Sequence, residues 1–146
     1  MESLHYLLMK SHAVFSRRVL SEAGKIGLTA GQPKILEFLD SCEEADQKTI
    51  ASYCEIEQTT AGSILLRMEK AGLVIRRQHD GNRRSLFVSL TDRGREAAGQ
   101  VKEIFARTEQ PIEAALSEAE QKCLRELLEK AYCAITDTTS EGGSQK

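Results

Sequence analysis

Apolar residues recur every three or four positions along most of the chain, which is the spacing of amphipathic helices. This spacing predicts a first helix over residues 2–22 and a short helix over about 47–54. Between them, Thr29 and Gln32 form a T-x-x-Q capping box that starts another helix. A further helix is predicted over 58–71, where apolar residues at i, i+3, i+4 and i+7 form one stripe. The stripe consists of Ala61, Ile64, Leu65 and Met68.

The apolar period changes from helical to alternating after Gly72. The segments LVIRRQ and RRSLFVSL have the pattern of two strands. Asp80-Gly81 between them is a strong hairpin signal, because both residues tolerate the positive φ that tight turns require. We therefore predict a β-hairpin with an arginine pair on each arm. The pairs are Arg76 with Arg77 and Arg83 with Arg84.

Two long helices are predicted to follow the hairpin. Thr91 is placed to cap the first of them, and we expect this helix to end at Pro111, since proline lacks the N–H that a helix needs. An S-x-x-E capping box at Ser117 starts the second, which is expected to run to about Ile135. The polar residues 137–146 then predict a flexible tail.

The formal net charge of −2 is unevenly distributed along the chain. Residues 46–95 contain nine Lys and Arg against six Asp and Glu, a net of +3. The remainder contains eleven against sixteen, a net of −5. A basic segment on an acidic scaffold is what a phosphate-binding module would show.

Several classes of protein are disfavoured by what the sequence lacks. No apolar run approaches the length of a membrane span, and the N-terminus has no signal-peptide pattern, so we expect a cytoplasmic protein. There is no glycine-rich phosphate loop, nucleophile motif or paired-carboxylate signature, so we expect no enzyme. The three histidines form no ligand pair, and we expect neither a metal nor another cofactor.

The order helix, short helix, turn, helix and hairpin is that of a winged helix-turn-helix. A helix of about 14 residues fits the major groove of DNA, where each base pair presents a distinct pattern of donors and acceptors. The polar face of helix 58–71 carries amide, hydroxyl and guanidinium groups, and the hairpin arginines can reach the backbone or the minor groove. We predict a mainly α fold with a small β-hairpin wing (α+β) that binds double-stranded DNA.

The segment QTTAGSILLRMEKAGLVIRRQHDGNRRSLFVSLTDRG resembles the MarR (multiple antibiotic resistance regulator) family of bacterial transcription factors. The M-E-K-x-G-L-V helix exit, the N-R-R wing tip and the L-T-x-x-G entry to the next helix carry the likeness, which extends over nearly the whole chain. It implies a homodimer with intertwined terminal helices that binds an inverted-repeat operator, usually as a repressor released by a small-molecule effector. It divides the chain into a dimerisation helix, a winged helix-turn-helix domain, C-terminal dimerisation helices and a tail, at residues 1–28, 29–91, 92–136 and 137–146.

The resemblance also implies which residues contact DNA. In the recognition helix they are Gln58, Thr59, Thr60, Ser63 and Arg67, and in the wing Arg77, Asn82, Arg83 and Arg84. Lys48 opens the preceding helix and is expected to contact a phosphate. Asn82 stands where the family often has Asp, so Asp80 is the candidate for bracing the wing, and Glu55 stands at a turn position that is commonly Gly. Arg76 is expected to be a solvated strand residue or a DNA contact, and Glu69 part of a solvated face.

Two alternatives remain open at the level of sequence. One is a regulator that senses redox conditions through a cysteine, although none lies in the N-terminal helix, where peroxide-sensing relatives carry theirs. All four cysteines have apolar surroundings in the sequence and are expected to be reduced and buried. Cys123 and Cys133 are too far apart on one helix for a bridge within a chain, which leaves a bridge between subunits. The other alternative is a winged helix that binds a protein and not DNA.

Overall fold

The computed structural model describes residues 1–79 and 81–141, and the side chains of 82–85 and 138–141 are outside the described part. Within it the elements follow in the predicted order, so the mainly helical winged helix-turn-helix fold is confirmed. They are α1 (Leu4–Lys25), α2 (Gln32–Asp40), β1 (Ala45–Asp46), α3 (Gln47–Tyr53), α4 (Gln58–Lys70), β2 (Val74–His79), β3 (Asn82–Leu90), α5 (Asp92–Ala115) and α6 (Glu118–Glu141). The chain forms two compact units, the first Met1–Thr108 and the second from Glu109 onward.

The hairpin belongs to a three-stranded antiparallel sheet with the order β1-β3-β2. Val74 pairs with Leu90 and Gln78 with Leu86, which is the register of a simple hairpin. The strand β1 was not predicted, because two residues are too few to show an alternating pattern. Its pairing with β3 attaches the segment before α3 to the wing.

One apolar core fills the first unit. Helices α2, α3, α4 and α5 and all three strands bury side chains in it, and complete burial of a large aliphatic side chain contributes roughly 1.5–3 kcal/mol. The stripe predicted on α4 is confirmed, with Ala61, Leu65 and Met68 fully buried and Ile64 half-buried. The largest fully buried side chains are Ile35, Leu36, Leu39, Ile50, Leu65, Met68, Val74, Val88 and Val101.

The two caps predicted for the C-terminal helices are confirmed. Thr91 Oγ1 accepts a hydrogen bond from the Gly94 N–H at 3.0 Å, which caps α5. At the start of α6, the Glu120 N–H donates to Ser117 Oγ at 3.2 Å, and the Ser117 N–H donates to Glu120 Oε2 at 2.8 Å. This is the complete reciprocal pair of a capping box.

The predicted start of α2 was wrong in detail. The Thr29 N–H donates to Gln32 Oε1 at 3.1 Å, which is one half of the predicted capping box. The helix nevertheless begins at Gln32, and its N-cap is Gly31 with a φ of 85°. A left-handed backbone at this position favours glycine, so a glycine turn replaces the threonine side chain as the cap. Pro33 lies in the first turn, as expected.

The predicted end of α5 at Pro111 was also wrong. Pro111 lies inside the helix, which continues to Ala115. A proline removes one helical hydrogen bond and crowds the preceding turn, but helical residues on both sides can hold the segment in a helix. At the preceding turn, Thr108 Oγ1 donates to the Ile104 carbonyl oxygen at 2.8 Å.

The helix α6 is longer than predicted and more exposed. It runs to Glu141 and not to about Ile135, so residues 137–141 of the proposed flexible tail are helical, and 142–146 lie outside the described residues. No side chain from 118 to 137 is buried within this one chain. The expectation of buried cysteines was therefore wrong for Cys123 and Cys133, both of which are exposed.

Exposed apolar side chains are also found on the first helix. Helix α1 continues through Gly24 to Lys25, and in the chain by itself only its Val19 and Ala23 are buried. Leu4 and Met9 are 72% and 58% exposed, respectively. No helix in the described ranges is both long and apolar enough to cross a bilayer.

Candidate nucleic-acid interface

The helix that precedes the recognition helix is fixed at its first turn. Asp46 caps α3 by accepting a hydrogen bond from the Thr49 N–H at 2.8 Å. Hydrogen bonding to the Thr49 side chain, together with this backbone bond, lowers the pKa of the Asp46 carboxyl. The Gln47 side chain donates to the Gln58 carbonyl oxygen at 3.0 Å, which joins α3 to the start of α4. A Cβ at Gly62 would lie 3.0 Å from Gln47 Nε2, so a glycine at this position lets the two helices approach.

The turn between α3 and α4 contains a strained residue. Glu55 has a φ of 56°, the one positive φ of a non-glycine residue among 1–79 and 81–141. The predicted departure from a family glycine therefore falls where the backbone favours glycine. The turn keeps its geometry, and the Ile56 N–H donates to the Ala51 carbonyl oxygen at 3.0 Å.

The predicted DNA-contacting face of α4 is solvent-exposed, opposite the buried stripe. Its members are Gln58, Thr59, Thr60, Ser63 and Arg67, and their exposure is what a role in DNA contact requires. Two of them have an additional place in the structure. Ser63 Oγ donates to the Thr59 carbonyl oxygen at 3.2 Å, and Thr60 lines a cavity behind the helix. Lys48 is exposed on α3, as a phosphate contact must be.

An ion pair joins the recognition helix to the first wing strand. Arg76 donates from Nε to Glu69 Oε2 and from Nη2 to Glu69 Oε1, each at 3.2 Å. The Arg76 side chain is only 19% exposed. Arg76 was expected to be a solvated strand residue or a DNA contact; its mostly buried side chain contradicts the first, and the second stays a prediction. Glu69 was expected on a solvated face, and its side chain is 39% exposed although it has an ion-pair partner. The two residues are seven positions apart, and no local pattern indicates that the hairpin folds back onto α4 at this point.

The structure separates the predicted wing residues. Arg77 is exposed and, with Asp40, Glu43 and Glu44, lines a polar cavity of about 760 Å³ beside the loop between α2 and β1. Gly81 has a φ of 84°, as the predicted turn requires. Asp80 lies outside the described residues, and so do the side chains of Asn82, Arg83 and Arg84, so their predicted roles stay predictions.

A histidine that the sequence did not single out lies near the end of the first wing strand. His79 Nε2 is 2.8 Å from Glu44 Oε1, and its ring stacks on Phe87 with a centroid distance of 3.9 Å. Glu44 is in the loop that leads into β1. A lone histidine in a polar segment gives no sequence signal of this contact, because the contact depends on the register of the sheet.

A cavity of about 610 Å³ lies between helices α1, α2, α4 and α5. Phe15, Val19 and Phe105 give it an apolar wall, and the polar groups at its edge come from His12, Ser16, Lys34 and Thr60. Ile64 lies opposite Gly31, and a Cβ added at Gly31 would be 2.6 Å from Ile64 Cδ1. The cavity thus touches the recognition helix at Thr60 and Ile64. Its lining is scattered from residue 12 to residue 105, and no local motif could have shown it.

The structure disfavours redox sensing at two of the four cysteines. Burial raises the pKa of the Cys54 thiol, and it raises the pKa of the Cys42 thiol in the same way. The thiolate is the reactive form of cysteine, so a raised pKa disfavours reaction at these two positions. Cys54 lines the apolar cavity, in agreement with the core position expected for it.

Comparison with known proteins agrees with this architecture. The sequence profile of the MarR family matches residues 28–86. The HTH-type transcriptional repressor Rv2887 of Mycobacterium tuberculosis is 27% identical over 127 residues, which are 87% of this chain and 91% of that repressor. The crystal structure of Rv2887 with salicylic acid has a TM-score of 0.69 at 26% identity and covers 90% of this chain and 97% of its own.

Two structures of DNA complexes are similar as well. The transcriptional repressor CouR bound to a 23-mer DNA duplex has a TM-score of 0.81 at 26% identity, over 89% of this chain and 92% of that one. A MarR family regulator from Listeria monocytogenes complexed with 26mer DNA has a TM-score of 0.90 over 100% and 99% of the two chains, and at 20% identity it shows the shared fold. Residues 28–86 therefore form a MarR-family domain, and that family consists of transcription regulators and not of enzymes.

Proposed function

We propose that the chain is a repressor that binds an inverted-repeat operator in double-stranded DNA as a homodimer, in the cytoplasm, and is released by a small-molecule effector. The observation that carries the proposal is the exposed polar face of α4, which lies opposite the buried side chains of Ala61, Leu65 and Met68. The ion pair of Arg76 with Glu69 fixes the wing to the same helix, so both DNA-contacting elements belong to one rigid module. The similar repressor CouR has been solved on a DNA duplex.

The exposed apolar faces of the terminal helices support the homodimer. On α6 the exposed apolar side chains repeat every three or four residues over most of the helix. Packing against a second copy of this chain would remove them from water. These side chains are Leu124, Leu127, Leu128, Tyr132 and Ile135. The dimer would hold two α4 helices about 34–36 Å apart, which is one turn of DNA.

A salt titration of DNA binding tests the proposed function. Operator binding should weaken steeply with salt, with log K falling by about 0.9 for each phosphate that the protein neutralises. Replacing Arg67 with alanine should lower affinity and, if Arg67 binds a phosphate, reduce the salt slope by about 1. The control is Lys102→Ala, which removes an exposed positive charge from α5. A protein that binds no duplex at any ionic strength would instead support the protein-interaction alternative.

The two DNA-contacting elements should have different effects on specificity. Replacing Arg83 and Arg84 together should weaken binding to many sequences alike, because phosphate and groove-width contacts carry little base information. Replacing Thr59 or Ser63 should change which operator sequences are preferred, because their hydroxyls face base edges in the proposed complex. Binding selections with randomised operators separate these two outcomes.

The cavity is the proposed effector site, and an aromatic carboxylate is the ligand class we propose for it. Its apolar wall suits an aromatic ring, and Lys34 at the edge provides a cation for a carboxylate. The similar repressor Rv2887 has been solved with salicylic acid. An occupant would touch Thr60 and Ile64 and so favour one position of the recognition helix over another. It can shift the DNA-binding equilibrium only by its difference in affinity for the two states.

Salicylate binding tests this assignment. We expect salicylate to raise the melting temperature and to lower operator affinity. Lys34→Met should lose the response to salicylate and keep operator binding, whereas Lys102→Met, which changes a lysine away from the cavity, should keep both. If Lys34→Met responds to salicylate as the wild type does, Lys34 does not bind the carboxylate in the proposed site.

A further inference from the structure

The outer end of the wing is attached to the body of the DNA-binding domain by a contact that none of the predicted DNA-contacting residues makes. His79 Nε2 lies 2.8 Å from Glu44 Oε1. The imidazole also stacks on Phe87 of β3, with ring centroids 3.9 Å apart and an angle of 19° between the planes. One side chain of β2 therefore contacts both the neighbouring strand and the loop that leads into β1.

The register of the sheet explains how His79 reaches this position. Gln78 pairs with Leu86, but the next residue, His79, pairs with Asn82, so the register shifts between Gln78 and His79. An irregularity of this kind breaks the regular ladder and re-aims a side chain. The regular pairing of β2 with β3 therefore ends at Gln78 and Leu86.

Glu44 is a suitable anchor because its neighbours are fixed. Ala45 pairs with Val88 in the sheet, and Asp46 caps α3. The hydrogen bond from His79 thus connects the end of the wing to the same segment that starts the helix-turn-helix. The wing is thereby attached to the helix-turn-helix at two points. Arg76 joins the inner half of β2 to Glu69 of α4, and His79 joins the outer end of β2 to Glu44.

We propose that His79 is a positioning residue for the wing, and that its contact with Glu44 strengthens DNA binding by holding the wing tip in place. This inference rests on the proposed DNA-binding function. The Glu44 carboxylate accepts from the imidazole nitrogen, and a hydrogen bond to a charged acceptor is stronger than one between neutral groups. The stacking on Phe87 holds the same ring, so the two contacts together fix the position of the His79 side chain.

Other charged groups surround this contact. Glu43 and Arg77 line the polar cavity that Glu44 also lines, and Asp46 is the strand partner of Phe87. Because Glu43 is an exposed acid next to Glu44, its substitution is a matched control for the loss of one negative charge.

The experiment compares Glu44→Gln, Glu43→Gln, His79→Gln and the double variant Glu44→Gln/His79→Gln with the wild-type protein. Operator affinity is measured for each protein, and amide hydrogen exchange over residues 74–79 is measured on the free protein. We expect Glu44→Gln and His79→Gln to bind about two- to fivefold more weakly than Glu43→Gln, the range of an exposed ion pair. The double variant should be no weaker than His79→Gln alone.

Hydrogen exchange distinguishes the failure of this proposal from the failure of the proposed function. Faster exchange over 74–79 in Glu44→Gln, with Glu43→Gln unchanged, supports the contact even if no operator is found. Equal affinity and equal exchange in Glu44→Gln and Glu43→Gln would overturn it and leave DNA binding intact. A loss of affinity in His79→Gln that Glu44→Gln does not share would also overturn it, because the imidazole would then act on DNA directly.

Discussion

Arg76 and Glu69 form a two-point ion pair between the wing and the recognition helix. Both nitrogen–oxygen distances are 3.2 Å, and the Arg76 side chain is mostly shielded from solvent. The parallel arrangement of a guanidinium and a carboxylate fixes direction as well as distance. The pair therefore sets the angle at which the first wing strand leaves the end of α4.

The first prediction concerns the pH dependence of this pair. The hydrogen bond and charge of Arg76 lower the pKa of the Glu69 carboxyl. A carboxyl with a lowered pKa in the folded state contributes stability that is present above its unfolded pKa, about 4.3, and is lost as the pH falls through the folded pKa. We expect Glu69→Gln to be less stable than wild type in chemical denaturation at pH 7, and the difference to shrink as the pH falls below about 4.

Glu57→Gln is the control for this prediction, because Glu57 is an exposed acid at the other end of α4. It should lose little stability at any pH. A loss in Glu69→Gln that is the same at pH 7 and pH 3 would show that the glutamate acts through packing and not through its charge.

The second prediction concerns Gly94 in the L-T-x-x-G motif. A Cβ at this position would lie 2.0 Å from the carbonyl oxygen of Leu73, which is backbone and cannot move aside. We expect Gly94→Ala to lower the free energy of unfolding by at least about 2 kcal/mol. Gly99→Ala in the same helix meets no atom within 4 Å and should raise it by about 0.5–1 kcal/mol. Similar losses in both variants would refute the steric explanation.

The third prediction concerns the strained turn at Glu55. Glycine adopts a φ of 56° without the cost that an L side chain incurs. We expect Glu55→Gly to be more stable than Glu55→Ala by about 1 kcal/mol in thermal or urea unfolding. Both substitutions remove the same side chain, so the comparison isolates the backbone. Equal stability of the two variants would show that the turn relaxes when the glutamate is removed.

Local signals in the sequence were enough for the elements and for the face of the recognition helix. The stripe of Ala61, Leu65 and Met68 fixed the orientation of α4, because the spacing of apolar residues determines which side is buried. Thr91 and Ser117 marked helix starts through caps that involve only neighbouring residues. The prediction that α5 ends at Pro111 was wrong, because a proline is unfavourable in a helix interior but does not exclude it.

Contacts between distant segments could not be predicted in the same way. Arg76 and Glu69, and likewise His79 and Glu44, come together only after the hairpin folds back and its register is set. The sequence analysis therefore left Arg76 as a solvated strand residue or a DNA contact, and did not identify its partner Glu69. The effector cavity is another example, since its lining residues come from α1, α2, α4 and α5 and share no local pattern.

The hydroxyl of Thr91 has a consequence for how the protein adapts to different DNA sequences. It donates to the Gly72 carbonyl oxygen at 2.6 Å while accepting from the Gly94 N–H, and the Thr91 N–H donates to the Leu73 carbonyl oxygen at 3.0 Å. The base of the hairpin is thereby joined to the start of α5 and cannot swing independently of it. In the proposed DNA complex, differences in minor-groove width between operators would then have to be accommodated away from the base of the hairpin.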